Sequence, residues 1–265
     1  MNDIISNLNV TLEKIYASVD SKIYELMDKI FIIRSDILEI SPLKDFFDKK
    51  FYNNYVLICL TLLFMYVIYF VTIKIINLYN GKESENIYLF LFKIVVIGII
   101  IQNFKFIFEI FFELSDSILF CIDKLFTSVI KSDISFVNLK DEIISVNQVL
   151  GQDMLSLSGI LKTTVSFGCI SILINFSIRY VTIILAIMLF PISLIFLSRK
   201  NTSWIFLSLT KVFIINIIQQ FIGYFIICIP LMCKNLDEEL YQVIMIGSVY
   251  MLYKINGITS QFFQK

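Results

Sequence analysis

The stretch Asn175–Phe196, NFSIRYVTIILAIMLFPISLIF, decides how this chain is read. It is apolar enough for a bilayer except for one arginine and one proline. An arginine near the bilayer centre costs about 2.5–3.5 kcal/mol on insertion scales, so Arg179 stands either near an interface or in a protected place. Pro191 removes a helical donor and disfavours the α region for Phe190, which predicts a bend or an end there. With the residues before it, the apolar region runs over Ile160–Leu197. As one helix that would be about 55 Å long, almost twice a bilayer core. Two readings stay open: one over-long helix whose outer part is covered by protein, or two spans joined by a tight turn near Asn175–Arg179. The turn would contain neither Gly nor Pro.

Working outward, Tyr55–Ile73 is nearly uninterrupted apolar sequence of bilayer length and is the plainest predicted span. Asn80-Gly81-Lys82-Glu83 marks a polar turn. Ile87–Phe104 is a second span, with Lys93 placed to snorkel toward its start. Downstream of the opening run, Ser198-Arg199-Lys200-Asn201 closes the region and Trp204–Met232 forms another span, with Pro230 near its end. After the acidic loop KNLDEE (Lys234–Glu239), Leu240–Ile258 is a weaker last span, where Gly247 and Gly257 would let neighbours approach closely. Pro191 and Pro230 are the predicted helix hinges.

Two amphipathic segments flank these spans. Over residues 4–40, Ile5, Leu12, Val19, Leu26, Ile33 and Ile40 recur every seven residues. Tyr16, Ile23, Ile30 and Ile37 run beside them, and Ser41-Pro42 ends the pattern. Such a helix packs on its own protein, on the membrane surface, or on another subunit. Past Lys105, Glu109, Glu113, Asp116 and Asp123 alternate with Phe108, Phe112, Leu119 and Phe126 at helical spacing. This reads as an amphipathic helix continuing from the second span into a polar, extramembrane segment. The predicted organisation is therefore all-α and polytopic, with about five transmembrane helices (six possible). Residues 1–50 form the N-terminal amphipathic helix and 51–105 the first two spans. Residues 106–159 form the central extramembrane segment and 160–265 a C-terminal transmembrane bundle.

Composition agrees with a multi-pass membrane protein. Hydrophobic residues make up 58% of the 265, and the mean hydropathy is +0.83, above the 45–50% apolar content usual for soluble domains. Lys plus Arg and Asp plus Glu both number 22, so bulk charge gives no case for nucleic-acid binding. No histidine is present, which removes His-dependent triads, His-ligated haem and most catalytic zinc sites. The five cysteines form no C-x-x-C pair. There is no P-loop and no dinucleotide fingerprint, so no enzyme, cofactor or metal site is expected. Tyr55–Ile73 is expected to serve as its own insertion signal. Arg199 and Lys200 place their loop in the cytoplasm and the KNLDEE loop outside. Lys44, Lys49 and Lys50 pull the N-terminus inside, which six spans would give and five would not.

The candidate functional residues are polar groups in apolar helices. Asn216, Gln219, Gln220 and Gly223 fall at i, i+3, i+4 and i+7 and share one helix face. Asn175 and Arg179 are i, i+4 neighbours. Each set either makes interhelical contacts or lines a hydrated channel, and Arg179 has interface lipid or Glu109 and Glu113 as possible partners.

The run RYVTIILAIMLFPISLIFLSRKNTSWIFLSLTKVFIINIIQQF (residues 179–221) orders an arginine, an apolar stretch, a proline, a polar hinge, an aromatic start, a lysine and a Gln-bearing helix. In this it resembles the TrbL/VirB-type polytopic inner-membrane subunits of type IV secretion (conjugation) systems, in the short form of Gram-positive elements. The resemblance covers residues 160–260 best. It implies a non-enzymatic channel or scaffold subunit in the bacterial cell membrane, embedded in lipid and homo-oligomeric. It further implies five or more spans, an outside N-terminus and an inside C-terminus. Secretion ATPases and other channel subunits would be its partners, and a DNA–protein complex the translocated substrate. The long soluble C-terminal domain of some relatives is not expected here, nor is a wall-spanning role. The competing expectation is a membrane subunit of a small-molecule transporter or permease.

Overall fold

The computed structural model describes residues 21–81, 86–130, 134–139, 157–199, 201–234 and 236–262. Residues 4–20 of the predicted N-terminal helix, most of the polar stretch after Ile130, and Lys200 lie outside the described residues. The fold is all-α. The helices are α1 (Ser21–Phe31), α2 (Leu43–Phe46), α3 (Lys49–Tyr79), α4 (Ile87–Gln102) and α5 (Phe104–Ile130). They continue with α6 (Leu157–Phe196), α7 (Ser203–Met232), α8 (Glu238–Tyr253) and α9 (Ile255–Phe262), and a 3-10 segment covers Ser35–Glu39. Three of them, α3, α6 from Gly168 onward, and α7, are long and apolar enough to cross a membrane. The α4–α5 pair, bent by 70° at Asn103, makes a fourth if it counts as one broken span. This is the pattern of a multi-pass membrane protein.

The described residues fall into two compact units, each discontinuous in sequence. One draws on Arg34–Asp116 and Thr182–Ile214, the other on Met1–Ile33, Ser117–Val181 and Ile215–Lys265. In the first, α3 and α4 form an antiparallel hairpin around Gly81, whose φ of 66° suits glycine alone at low cost. Phe70 stacks on Phe90 at 3.6 Å between centroids, and the Tyr52 hydroxyl donates to the Gln102 carbonyl at the other end. Asp48 and Asn86 cap the two helices by accepting the backbone N–H of Lys50 and Tyr88. One seam of this hairpin, Cys59, Leu63, Ile97 and Ile101, packs on Leu194 and Ile195 of α6. The rest of α3 leaves its apolar surface uncovered, whereas α6 and α7 bury about half of theirs. Large uncovered apolar faces are what helices show to hydrocarbon.

In the second unit the core is built around α1. Tyr24, Met27 and Phe31, at i, i+3 and i+7, are fully buried among α6, α7, α8 and α9. Within the helix the two predicted stripes mark the face in part: Ile23 and Ile30 pack against this core, but Leu26 is 48% exposed. The helix also stops at Phe31, ten residues before Ser41-Pro42. A stripe of aliphatics at exact heptads drifts across a 3.6-residue helix, and the larger Tyr24 and Phe31 win the core.

Four further expectations meet the structure differently. Leu157–Phe196 is one continuous helix, so the two-span reading with a turn at Asn175–Arg179 is wrong; no residue there breaks a helix. That helix also continues past Pro191 to Phe196, and α7 past Pro230 to Met232, so neither proline ends its helix at the residue before it. The predicted last span is divided at Lys254 into α8 and α9, and α8 has only 16 residues. Close approach occurs at Gly168 and Gly223 instead of Gly247 and Gly257, whose added Cβ atoms would meet nothing within 4 Å.

Gly223 is the tightest of these positions. A Cβ there would lie 2.6 Å from Cε2 and 2.8 Å from Cζ of the buried Phe31 ring. Gly223→Ala should therefore push Phe31 out of place and lower stability by about 1–3 kcal/mol. Gly247→Ala, on an open stretch of α8, should be neutral or slightly stabilising. Thermal unfolding of the two variants in one detergent checks the contrast, and equal Tm values would contradict the packing described.

Candidate functional site

The site grows from the C-terminal end of α1. A helix leaves its last carbonyls without intrahelical partners, and within a protein core those groups must find donors. Here the donor is Arg179 of α6, only 2% exposed. Its Nη2 donates to the carbonyls of Ile30, at 3.2 Å, and of Phe31. The cation also sits at the negative end of the α1 dipole. Its guanidinium carbon lies 5.1 Å from the Phe176 ring centroid and 5.6 Å from that of Phe31, within cation–π range. Nε and Nη1 have no hydrogen-bond partner among the described residues. The guanidinium is thus bound by backbone oxygen and aromatic faces, not by a carboxylate.

Across the same segment, Gln220 of α7 accepts the backbone N–H of Ile33 through Oε1 at 3.1 Å. The two side chains hold opposite groups of one short piece of chain: Arg179 its carbonyls, Gln220 an N–H just beyond. Gly223, one turn past Gln219, gives room for the Phe31 ring, which also packs on Phe136 and Phe176 with centroids 5.3 and 5.0 Å away. Upstream on α1, the Tyr24 hydroxyl lies 3.6 Å from Cys169 Sγ. Asp28 accepts the backbone N–H of Phe136 at 2.7 Å and of Val137 at 3.4 Å, capping the short turn 136–139. Burial pushes the Asp28 carboxyl above its ordinary value, more than these two N–H donors draw it down.

The other predicted polar residues follow the same rule. Asn175 Nδ2 donates to the Tyr253 carbonyl at 3.0 Å, which belongs to the last turn of α8. Gln219 Nε2 donates to Thr259 Oγ1 of α9 at 2.8 Å. Asn216 is half-buried one turn earlier on α7. The structure therefore brings Arg179 and Gln220 together on one segment and gives Asn175 and Gln219 to α8 and α9. Glu109 pairs with Lys105 at 3.7 Å on α5. Among the described residues no group of three or more His, Cys, Asp or Glu could hold a metal ion.

Sequence reading missed Tyr24, Asp28 and Phe31, because their partners are backbone atoms and an aromatic cage far away in the chain. It also missed the bond from the Tyr224 hydroxyl to Asp123, which joins α7 to α5. The one available signal was the Asp28-x-x-Phe31 end of an amphipathic helix, and the aliphatic heptad concealed it. Compared with known proteins, the chain matches no family model, no curated protein and no solved structure.

Two outcomes follow from this geometry. Arg179→Gln should destabilise docking of α1 by about 1.5–3 kcal/mol, the usual loss for hydrogen bonds to a charged group. Arg179→Lys should recover only part, since an ammonium cannot fork and stack as a guanidinium does. Hydrogen exchange over residues 21–33 measures both, and unchanged protection would refute the clamp. The second concerns pH. Because Asp28 titrates higher when folded than its ordinary value of 3.8, its stabilising contribution is complete below that value. The contribution is lost as pH rises through the folded value. Protection of α1, corrected for intrinsic exchange, should weaken with rising pH in the wild type, and Asp28→Asn should flatten the slope while keeping the bond to Phe136.

Proposed function

We propose that this chain is a non-enzymatic membrane subunit, channel or scaffold, of a type IV secretion machine that moves DNA and protein between bacteria. The carrying observation is where the run 179–221 falls. It occupies one helical hairpin, the second half of α6, the Arg199 turn and most of α7. Its two ends, Arg179 and Gln220, close on the same segment Ile30–Ile33. Two of the features that carry the resemblance to TrbL/VirB-type subunits, Arg179 and Gln220, thus hold one segment.

On this reading the protein lies in the bacterial cell membrane with about five crossings: α3, the α4–α5 pair, α6, α7 and, as the last and weakest, α8 together with α9. The N-terminus is outside and the C-terminus inside, with the Arg199 turn cytoplasmic as loop basicity requires. Homo-oligomerisation, the energy-supplying ATPases and contact with the DNA–protein substrate belong to the same proposal. The polar side chains act mainly as interhelical anchors, which favours a scaffold that shapes a conduit with partners over a pore formed by one chain.

The test is a mating assay with the gene deleted and restored in trans. Transfer of the mobile element should fall to background on deletion and return with the wild-type gene. A doubly substituted Arg179→Ala/Gln220→Ala chain, present in the membrane at wild-type amount, should restore it poorly. Undiminished transfer by the deletion strain would overturn the proposal.

A further inference from the structure

Helix α5 carries six charged residues, Lys105, Glu109, Glu113, Asp116, Asp123 and Lys124, and by composition reads as extramembrane. Its neighbours place it elsewhere. Phe108, Phe111 and Phe112 pack on Phe213 of α7 with centroids 5.5, 5.3 and 6.2 Å away. Further along, Asp123 accepts the Tyr224 hydroxyl, and Phe126 meets Phe225 at 5.5 Å. In each unit taken by itself, then, α5 lies against α7, a helix long and apolar enough to span.

Wound at 3.6 residues per turn, α5 has three faces. Phe104, Phe108, Phe112, Ser115 and Leu119 are buried in protein. Ile107, Ile110, Leu114, Ile118, Leu125 and Val129 form an uncovered apolar stripe, with the exposed Cys121 in its middle. The third face holds the acids. Asp116 accepts the Ser35 N–H at 2.9 Å. Glu109 and Glu113, with Lys105, Ser35, Asp36 and Glu39, line a polar cleft of about 380 Å³. That is ample room for several waters among groups able to bind them.

We infer that α5 is a membrane-embedded helix whose Ile107–Val129 stripe lies against lipid acyl chains while its acidic face is turned to water in the cleft. Charged residues at membrane depth persist only on such a face, toward protein or a wet cavity. The inference rests on the membrane placement of α7 and is independent of any role in secretion.

The test uses the full chain in lipid nanodiscs. Bimane is attached to the native Cys121 on a Cys233→Ser background, with the labelled site confirmed by peptide mass. Quenchers are lipids brominated deep in the acyl chain, lipids carrying a quencher at headgroup level, and aqueous iodide. Bimane at Cys121 should lose most of its fluorescence to the deep bromolipid and little to iodide. Bimane at Glu113→Cys should show the reverse, and Lys105→Cys reads the same cleft if that variant folds poorly. Iodide quenching at Cys121 would place the stripe in water and overturn the inference. Quenching only at headgroup level would overturn it by laying α5 on the surface. Insensitivity to all three would do so by putting a protein partner on the stripe. Cleft positions closed to iodide would refute the wet face.

Discussion

The buried guanidinium of Arg179 on the last carbonyls of α1 is the contact on which the second unit depends. A helix terminus among apolar helices leaves several backbone groups without water, each costly if unpaired. Arg179 supplies donors to Ile30 and Phe31, and Gln220 supplies an acceptor for Ile33, so the chain can leave the helix inside the core. Without that pair, Phe31 would have no reason to sit on Gly223. The cage formed by Phe31, Phe136 and Phe176 would also lose its centre. The charge and the broken backbone need each other: either alone in this place would be expensive.

The same logic extends down α6 and α7. Asn175, one turn before Arg179, holds the carbonyl of Tyr253 where α8 stops at Lys254. Gln219, beside Gln220, holds Thr259 of α9, whose hydroxyl in turn bonds back to the Ile255 carbonyl. Polar side chains in long apolar helices are thus spent on places where other helices begin or end. This accounts for amides and a guanidinium, groups that bond backbone directly, and for the lack of paired acids on that face.

Much of the architecture was legible because it follows from length and apolar content. Tyr55–Ile73 and Trp204–Met232 lie within α3 and α7, and the shared face of Asn175 and Arg179 is real. The anchoring partners were not legible, for a physical reason. Backbone carbonyls carry no sequence signature, so nothing in Ile30 or Phe31 announces that an arginine some 150 residues later will bond there. The N-terminal register held in part, with Ile23 and Ile30 on the core, but the face centres on the bulkier Tyr24, Met27 and Phe31. The unbroken α6 shows the limit of reading Pro191 alone. Near the end of a long packed helix, the loss of one hydrogen bond is tolerated when tertiary contacts on both sides persist.

Helix α5 shows what a hydropathy average hides. Four acids spread over a lone helix at the bilayer centre would cost about 2.5 kcal/mol or more each, and no such helix would insert. Gathered on one face, the same acids cost far less, because one accepts a backbone N–H, one a tyrosine hydroxyl, and two border a polar cleft. The average is unchanged; the energy is not. On the placement inferred for it, α5 depends on the partners of its acidic face. Its placement requires α7 beside it and the segment Ser35–Glu39 over its acidic face.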